Sequence, residues 1–323
     1  MPKTVTDSIS YSTLSPAAVS SIVADRYDLN EITRCEFLAR GLNDSFLVQT
    51  ADCSYVFRVY RHGWRSESEI RYELALLVHL DRKRVGVSTP VKRKDGDFVE
   101  AVMQPEGQRY AVLFTFAEGE QAGTVSEAHA RLFGSAVAAL HTASDDFVSS
   151  HARFKIDLSY LLDHSLATAL PFLAHRSDDQ QYLRDLSAKL RVRIEALQPE
   201  LNLGCCHGDL HGRNAAFKDD RVTMFDFDCC GVGWRAHDVA VFRLTTEVGK
   251  NEVAWKVFID SYQQRRPLGP TDLAAIPLFV AAEYIWVLGL HTGIAPFIGS
   301  NAFGDQYWDY WLKLIRDWDA KEL

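Results

Sequence analysis

Two acidic side chains and one amide occur at a spacing that suits phosphoryl transfer. Asn214 follows Asp209 by five residues, and Asp226 follows Asn214 by twelve. Phosphoryl transfer requires one carboxylate that orients and deprotonates the accepting hydroxyl, and oxygen ligands that hold a divalent cation on the phosphates. Asp209 suits the first role, and Asn214 with Asp226 suits the second, because Mg2+ takes few protein oxygens. Asp228 is a candidate for a second cation or a supporting contact.

The segment between the amide and the second acid predicts a β-hairpin. Residues 215–217 and 221–225 have the composition of two short strands joined by a turn. Such a hairpin would bring Asn214 and Asp226 to the same end, where both could touch one cation. An ordinary turn is the alternative for a lone acid and amide, but the joint pattern of acid, amide and acid favours the catalytic interpretation.

Three segments carry a family resemblance: HGDLHGRN at residues 207–214, MFDFD at 224–228 and GWRAHDVA at 233–240. They resemble the aminoglycoside phosphotransferase and homoserine kinase superfamily, whose members are related to the protein kinases. They are most similar to the bacterial branch that holds homoserine kinase type II and the stress-response Ser/Thr kinases. The resemblance implies an α+β, bilobal protein-kinase-like fold, ATP, Mg2+ and a hydroxyl acceptor. It also implies that Asp238 braces the catalytic loop through backbone hydrogen bonds.

The N-terminal part predicts a lobe of about five antiparallel strands and one helix. The strands are expected at residues 34–39, 46–50, 55–60, 98–103 and 110–116. The helix is expected to start at Ser66, whose hydroxyl can cap it while Glu69 reciprocates. A break in the pattern near residues 117–120 predicts the hinge. The N-lobe is therefore expected at residues 1–117 and a mainly helical C-lobe at 118–323.

The turn at residues 40–45 is the first candidate for nucleotide binding. The resemblance implies that this turn, with Gly41 and Asn43, covers the phosphates of ATP with its backbone amides. A plain hairpin turn is the alternative, since one glycine is a weak signal. The resemblance also implies that backbone atoms near Phe116 bond the adenine.

Arg58 and Glu73 occupy the places of a further nucleotide-binding pair. In the family, a cation on the third strand pairs with a helix glutamate and positions the phosphates. Most kinases have lysine where this chain has Arg58, and the arginine fork grips carboxylate or phosphate with a different geometry. Arg61 or Arg65 could therefore be the phosphate partner instead.

Aromatic residues are dense in the C-terminal third, and at such spacings they mostly indicate a core. Trp234 and Arg235 follow the predicted cation-binding loop directly and are candidate acceptor contacts. Arg235 could bind an acceptor carboxylate with both arms of its fork, or pair with a structural acid. Tyr284, Trp286 and His291, on a later helix, are weaker candidates for the acceptor site.

His141 lies at the end of an apolar helical stripe. A capping box of Thr124 and Glu127 is expected to start that helix. A histidine at a helix C-terminus is favoured by the helix dipole. His141 is therefore expected to be a satisfied core histidine rather than a ligand.

Six cysteines occur in the chain, four of them as the adjacent pairs at residues 205–206 and 229–230. Adjacent cysteines do not make the knuckle of a zinc site. Because both pairs flank the predicted loop near His207 and His211, metal binding or redox sensing remains an alternative. Small buried thiols in a reducing compartment are favoured, which predicts a cytoplasmic location.

Composition excludes several classes of protein. A net charge of −8 and a pI near 5.8 argue against nucleic-acid or anionic-membrane binding. The N-terminus lacks the basic start and apolar core of a secretory signal. Residues 273–298 are the most apolar run, but Pro277, Glu283, His291 and Pro296 interrupt it. A buried helix is therefore expected there rather than a membrane span.

The leading hypothesis is phosphorylation of a small hydroxylated amine or amino acid, such as an amino alcohol or homoserine. A Ser/Thr protein kinase of the stress-response type is the runner-up, although the stretch between Asp228 and Asp238 is short for an activation loop. An aminoglycoside phosphotransferase ranks third, since the C-terminal segment lacks a dense acid cluster. A nucleotide-binding pseudokinase is the fourth hypothesis, and only Arg58 favours it. The sequence makes no prediction of oligomeric state.

Overall fold

The computed structural model describes residues 9–323. They form two compact units. Unit 1 contains the residues up to Glu118 together with Val148–Arg153 and Thr223–Phe225. Unit 2 contains Gly119–Phe147, Phe154–Val222 and Asp226–Leu323. The expected lobes at residues 1–117 and 118–323 stay a prediction. The two short segments of unit 1, Val148–Arg153 and Thr223–Phe225, fall within the residue range predicted for the C-lobe.

The secondary structure mixes short strands with longer helices. The strands are β1 Ile32–Arg40, β2 Asp44–Thr50, β3 Ser54–Val59, β4 Glu100–Gln104, β5 Gly107–Thr115, β6 Lys155–Ile156, β7 Leu203–Cys206, β8 Ala215–Lys218, β9 Arg221–Met224 and β10 Gly231–Trp234. The α-helices are α1 Pro16–Arg26, α2 Glu67–Arg82, α3 Glu127–Ala143, α4 His164–Ala169, α5 Ser177–Leu197, α6 Arg235–Val248, α7 Glu252–Arg265, α8 Pro270–Gly293, α9 Ala295–Ile298 and α10 Asp305–Glu322.

Unit 1 is built on a five-stranded antiparallel sheet in the order β1-β2-β3-β5-β4. The expected sheet is therefore confirmed. Its buried face packs against α1 through Val19 and Val23. The expectation of one helix was incomplete, because α1 precedes the sheet. Ser15 caps α1, and Pro16 occupies its first turn. Backbone N–H groups in the first turn have no partner within the helix, so the lack of an N–H in proline breaks no hydrogen bond there.

Helix α2 begins as the sequence predicts. The Ser66 side chain accepts from the backbone N–H of Glu69, and the Glu69 side chain accepts from the backbone N–H of Ser66. Ile70, Leu74 and Leu77 form its buried apolar stripe, next to Glu73. The capping box and the stripe together fix which way Glu73 faces.

Unit 2 is mainly helical, with a small sheet in the order β6-β10-β7 and the hairpin β8-β9. Helix α3 packs on α7, and α8 packs on α4, α5, α6 and α10. Phe133, Phe242 and Phe258 form an aromatic cluster between α3, α6 and α7. The hairpin and the mainly helical character of this part confirm the sequence-based expectation.

The start of α3 differs from the prediction. Ser126 is its N-cap, and the Ser126 side chain accepts from the backbone N–H of His129 at 3.2 Å. The capping box expected from Thr124 and Glu127 is therefore wrong. Glu127 is already the first helical residue, so the capping hydroxyl must come from the residue immediately before it.

By length and composition, α8 is the one helix of the described residues that could cross a membrane. However, 72% of its apolar window is buried inside the structure. Glu283, in the middle of the helix, is buried against His237 at 2.9 Å. These contacts support the prediction of a core helix.

Candidate active site

In unit 2, the loop after β7 carries the first acid of the motif. Gly208 in this loop has φ +83°, a left-handed conformation that glycine adopts without steric cost. A Cβ atom at Gly208 would lie 2.1 Å from the carbonyl oxygen of Cys229. The loop therefore needs glycine at this position both for its backbone angle and for its approach to the neighbouring segment.

Asp238, at the start of α6, holds this loop from behind. Its carboxylate accepts from the backbone N–H of His207 at 2.6 Å and from that of Gly208 at 2.8 Å. Burial raises the pKa of Asp238, but the bond from His141 and the charges of the surrounding histidines outweigh it and hold the pKa below its usual value. Bracing of the loop by Asp238 was expected from the family resemblance, and these bonds confirm it.

His141 extends this support toward α7. Its Nε2 lies 3.0 Å from the Asp238 carboxylate, and its Nδ1 lies 2.8 Å from the hydroxyl of Tyr262. Burial lowers the pKa of His141 more than Asp238 raises it, which favours the neutral ring. A neutral ring with Nε2–H facing the carboxylate leaves Nδ1 to accept from Tyr262. His141 is thus the satisfied core histidine that the sequence predicted.

One group of potential metal ligands among residues 9–323 includes a member of a cysteine pair. His141, Cys206 and Asp238 have ligand atoms within 4.8 Å of one another, and all three are buried. Asp238 and His141 already bond to each other, and Asp238 also accepts from the backbone. The arrangement is therefore a satisfied hydrogen-bond network around a buried thiol.

Asn214 is tied to Asp209 at the entrance to β8. Its side-chain Nδ2 donates to the Asp209 carbonyl at 2.9 Å and to the Asp209 carboxylate at 3.0 Å. The Asp209 side chain keeps 27% of its surface exposed. The amide nitrogen of Asn214 is therefore occupied, and its Oδ1 is the atom suited to a cation.

His211 provides the local positive charge. Its Nε2 lies 3.4 Å from Asp209 Oδ1. Burial raises the pKa of Asp209, but His211, His207 and the Asn214 amide outweigh burial and hold that pKa below its usual value. Burial lowers the pKa of His211, and Asp209 with Asp226 more than reverses this shift. Asp209 is therefore an ionised carboxylate, and Asp226 lies within electrostatic reach of the same imidazole.

Asp226 and Asp228 follow β9. Asp226 has a left-handed backbone, with φ 64° and ψ 56°, which aspartate tolerates better than most residues. Asp228 lies in the 3-10 turn Phe227–Cys229 and is only 2% exposed. Asn214 Oδ1 and these carboxylates offer oxygen atoms of the kind that Mg2+ takes, and their joint binding of one cation stays a prediction. The residues thus fit a hard divalent cation, with Asp226 more accessible than Asp228.

Four of the five predicted acceptor contacts are buried in unit 2. Trp234 packs on Phe279, with ring centroids 5.4 Å apart, and the Tyr284 side chain is fully buried. Arg235 is 2% exposed and lies 2.6 Å from the Asp145 carboxylate. Arg235 therefore pairs with a structural acid, which is the alternative role that the sequence allowed for it.

The fourth buried candidate, Trp286, lies on α8 and is 4% exposed, and His291 follows it on the same helix. The Trp286 ring lies 6.2 Å from that of Tyr160. His291 is half-buried, and its Nδ1 lies 3.0 Å from the Tyr307 hydroxyl. Burial lowers the pKa of His291, and the Asp209 carboxylate partly opposes this shift. His291 is therefore within electrostatic reach of Asp209.

Sequence reasoning missed Tyr160 and Phe154. Their rings stack at 4.7 Å, nearly parallel. Tyr160 lies in the π-helical turn Ser159–Asp163, and such turns are frequent at functional sites. Helical periodicity in the sequence does not distinguish a π-turn from an α-helix, so the composition gave no signal for this feature.

In unit 1, the predicted pair of Arg58 and Glu73 is present. Arg58 Nη1 donates to Glu73 Oε1 at 3.0 Å, and both side chains are buried. The hydroxyl of Tyr60 donates to the second oxygen of Glu73 at 2.9 Å. The glutamate is therefore fully engaged and fixes the position of the guanidinium.

The β1-β2 loop has an ordered backbone in unit 1. The Gly41 N–H donates to the Asn43 carbonyl at 3.1 Å, and Asn43 Oδ1 accepts from the Arg61 N–H at 3.1 Å. The Arg65 guanidinium lies 4.2 Å from the Trp64 ring centroid. Phe116, just after β5, donates its N–H to the Ser54 carbonyl. The roles of Gly41, Asn43, Phe116 and Arg65 in nucleotide binding stay predictions.

Replacing Glu73 by alanine is expected to lower the free energy of unfolding by about 3–5 kcal/mol, because it leaves the buried Arg58 charge without its partner. Chemical denaturation measures this loss. Glu67→Ala, on the same helix but 44% exposed, is the matched control and should cost about 1 kcal/mol or less. Equal losses for the two variants would contradict the structural role of the pair.

Comparison by sequence places the chain among phosphotransferases. The model of the phosphotransferase enzyme family matches residues 34–261. An uncharacterised protein of Deinococcus radiodurans is 37% identical over 317 residues, which cover 96% of this chain and 92% of that protein. A homoserine kinase of Xanthobacter autotrophicus is 27% identical, with 83% of this chain and 82% of that protein covered.

Solved structures show the same fold. An amicoumacin kinase in complex with AMP-PNP and Ca2+ has a TM-score of 0.77 at 19% identity, covering 95% of this chain and 94% of that one. A microcompartment-associated aminopropanol kinase has a TM-score of 0.74 at 22% identity, covering 94% and 95%. At these identities the likeness concerns the fold.

These findings confirm the resemblance stated from the sequence motifs. The family match covers more than half of the chain and contains the motif residues Asp209, Asn214 and Asp226. The expected α+β kinase-like fold and the assignment as a phosphotransferase are confirmed as well. The chain belongs to the phosphotransferase enzyme family.

Proposed function

We propose that the chain is an ATP- and Mg2+-dependent kinase that phosphorylates a hydroxyl group of a small amino alcohol or hydroxy amino acid such as homoserine. The observation that carries the proposal is the state of Asp209. Its carboxylate is partly exposed, its pKa lies below the usual value, and Asn214 holds it in place. A general base must be ionised, oriented and reachable, and Asp209 meets all three requirements.

Asp209 orients the acceptor hydroxyl and receives its proton. The brace from Asp238 fixes the backbone that carries Asp209, so the carboxylate is positioned before the acceptor arrives. Such positioning lowers the entropic cost of bringing the carboxylate and the acceptor hydroxyl together during the reaction. Burial raises the pKa of Asp209, and His211, at 3.4 Å, helps to hold that pKa below its usual value.

Asn214 Oδ1, Asp226 and Asp228 would hold Mg2+, which neutralises charge on the phosphates. In unit 1, Arg58, fixed by Glu73, would contact the phosphates of ATP. The β1-β2 loop, with Gly41 and Asn43, would cover these phosphates, and backbone atoms near Phe116 would bond the adenine. The amicoumacin kinase with bound AMP-PNP and Ca2+ supports the use of a nucleotide with a divalent cation.

The segment that follows the cation-binding residues favours a small acceptor over a protein. Asp228 is in a 3-10 turn, β10 follows at once, and α6 begins at Arg235. Asp238 is therefore reached without an exposed loop that could serve as a peptide platform. The Ser/Thr protein kinase hypothesis has no supporting observation of comparable strength.

Two relatives act, by name, on small hydroxylated amines: a homoserine kinase and an aminopropanol kinase. Aromatic faces attract ammonium groups, and the half-buried Tyr160 on the π-turn provides such a face, packed against the buried Trp286 of α8. His291 lies within electrostatic reach of Asp209. We therefore assign the acceptor site to Tyr160, Trp286 and His291, and a structural role to Arg235.

The cysteines agree with the predicted cytoplasmic location. All six are free thiols, and the pairs at residues 205–206 and 229–230 are buried. Free buried thiols are typical of reducing compartments. Burial also raises the pKa of Cys206 far above its usual value, which makes this thiol unreactive.

An acceptor panel tests the proposal. ADP formation is measured with homoserine, 1-amino-2-propanol, spectinomycin and a serine peptide, each with ATP and Mg2+. The highest kcat/KM is expected with one of the two small amino compounds, with phosphorylated product confirmed by mass spectrometry. Preference for the peptide would support a protein kinase. Nucleotide binding without turnover on any acceptor would support a pseudokinase and contradict the proposal.

A further inference from the structure

The segment before α1 crosses unit 1 beside the β1-β2 loop. The Ser12 N–H donates to Glu106 Oε1 at 3.2 Å, and its hydroxyl lies 2.6 Å from Glu106 Oε2 and 2.8 Å from Gln104 Oε1. The Ser12 carbonyl accepts from Arg109 Nη1 at 2.8 Å. These bonds anchor the segment of residues 11–13, here called the N-terminal strap, to the β4-β5 hairpin.

Arg109 connects the strap to the end of the β1-β2 loop. It is a fully buried arginine whose Nη2 donates to the Asp44 carboxylate at 3.1 Å and to the Val59 carbonyl at 3.0 Å. Its Nε donates to the Tyr60 carbonyl at 2.8 Å. Asp44, the first residue of β2, is therefore held from inside the unit by a guanidinium that the strap also contacts.

Arg40, the last residue of β1, contacts both Asp44 and the strap. Arg40 and Asp44 are register partners, and Arg40 Nε lies 3.0 Å from Asp44 Oδ1. The Arg40 guanidinium lies 4.5 Å from the ring centroid of Tyr11 and donates to the Thr13 hydroxyl. The strap is thus linked to both ends of the three-residue loop that contains Gly41 and Asn43, directly through Arg40 and by way of Arg109 to Asp44.

We propose that the N-terminal strap is a positioning element that holds the β1-β2 loop in its nucleotide-binding shape. The inference rests on the proposed function, in which this loop covers the phosphates of ATP. A short loop binds phosphate well only if its backbone already has the bound shape, because ordering it during binding reduces affinity. Tyr11 and Thr13 act through Arg40, and Ser12 acts through Arg109 and Asp44.

A double-mutant cycle tests this inference. Tyr11→Ala and Arg40→Ala remove the two sides of one contact, and the AMP-PNP dissociation constant is measured by calorimetry with Mg2+ present. Each variant is expected to raise that dissociation constant about tenfold. This is the change expected if only about a tenth of the molecules have the loop in its binding-competent conformation. The double variant should bind about as weakly as the single variants, because interacting residues are not additive. The kcat at saturating ATP should stay within about twofold.

Arg34→Ala is the matched control. Arg34 lies on the same strand, is exposed, and pairs with Glu36 away from the loop. Its replacement should leave nucleotide affinity unchanged. A role in stability alone would lower the melting temperature of the Tyr11 and Arg40 variants without this selective loss of nucleotide affinity.

Hydrogen exchange separates failure of the strap from failure of the proposed function. Amides of residues 41–44 are expected to exchange faster in the Tyr11→Ala and Arg40→Ala variants than in the wild type. Unchanged exchange there would overturn the inference whatever the enzyme phosphorylates. Faster exchange with unchanged AMP-PNP affinity would overturn it too, by showing that the loop does not meet the phosphates. No AMP-PNP binding by the wild type would contradict the proposed function itself.

Discussion

Asp209→Asn is expected to lower kcat by about 10²–10⁴-fold, the range that general-base catalysis contributes. Asparagine keeps the size of the side chain and an oxygen that can accept from the Asn214 amide at the same place. It cannot take the acceptor proton. The KM for ATP should therefore stay within a few fold, and steady-state kinetics with the best acceptor measures both constants.

Asp220→Asn provides the control for this change. Asp220 is exposed in the turn between β8 and β9, so the same chemical substitution there should leave kcat unchanged. Full activity of the Asp209→Asn variant would remove Asp209 from the mechanism. A fall in kcat accompanied by loss of the folded state would instead point to a structural role, so thermal melting accompanies the kinetics.

Asp238→Ala is expected to lower the free energy of unfolding by about 3–5 kcal/mol, the range for breaking a buried charged interaction. The carboxylate accepts from two backbone N–H groups and from His141. Its removal leaves all of these donors buried without a partner. The loop that carries Asp209 also loses its support, so kcat should fall even at temperatures where the variant stays folded. Urea denaturation and kinetics measure the two effects.

Asp260→Ala is the comparison for this variant. Asp260 is an exposed helical residue of α7, and such substitutions change stability by about 0.5 kcal/mol or less. A loss below about 1 kcal/mol for Asp238→Ala would contradict the brace, because each buried N–H group left unsatisfied costs about 1–3 kcal/mol.

The sequence predicted the features that depend on local spacing. The acid-amide-acid pattern lies around the β8-β9 hairpin as expected, and the capping box at Ser66 starts α2. The hairpin and the capping box follow from short-range hydrogen bonds and from periodicities that a single chain displays. The pairing of Arg58 with Glu73 was instead implied by the family resemblance, and the ion pair is present.

Two helix starts carry local signals in the sequence that differ from the expectations stated above. Ser15 and Pro16 mark the start of α1, with Val19 and Val23 spaced one turn apart, yet the helix was not expected. At α3 the expected cap, Thr124, lies two residues before the actual one, and helix ends are the least certain part of any pattern. Ser126 precedes the first helical residue and is the cap.

Other features required the folded chain. The link from Asp238 through His141 to Tyr262 joins distant residues, since His141 lies 97 positions from Asp238 and 121 positions from Tyr262. Asp145, the ion-pair partner of Arg235, lies just after the end of α3. No regular spacing in the sequence links these two residues. Side-chain partners of this kind are set by tertiary packing, so the sequence left the role of Arg235 open.

The most direct test of the proposed reaction is a 31P NMR time course of the wild-type protein with ATP, Mg2+ and the best amino-alcohol or hydroxy-amino-acid acceptor. The account predicts one new phosphomonoester resonance that grows in step with ADP, and that grows about 10²–10⁴-fold more slowly in the Asp209→Asn variant. Inorganic phosphate as the only product, a phosphomonoester on the protein, or equal product formation by Asp209→Asn would contradict it.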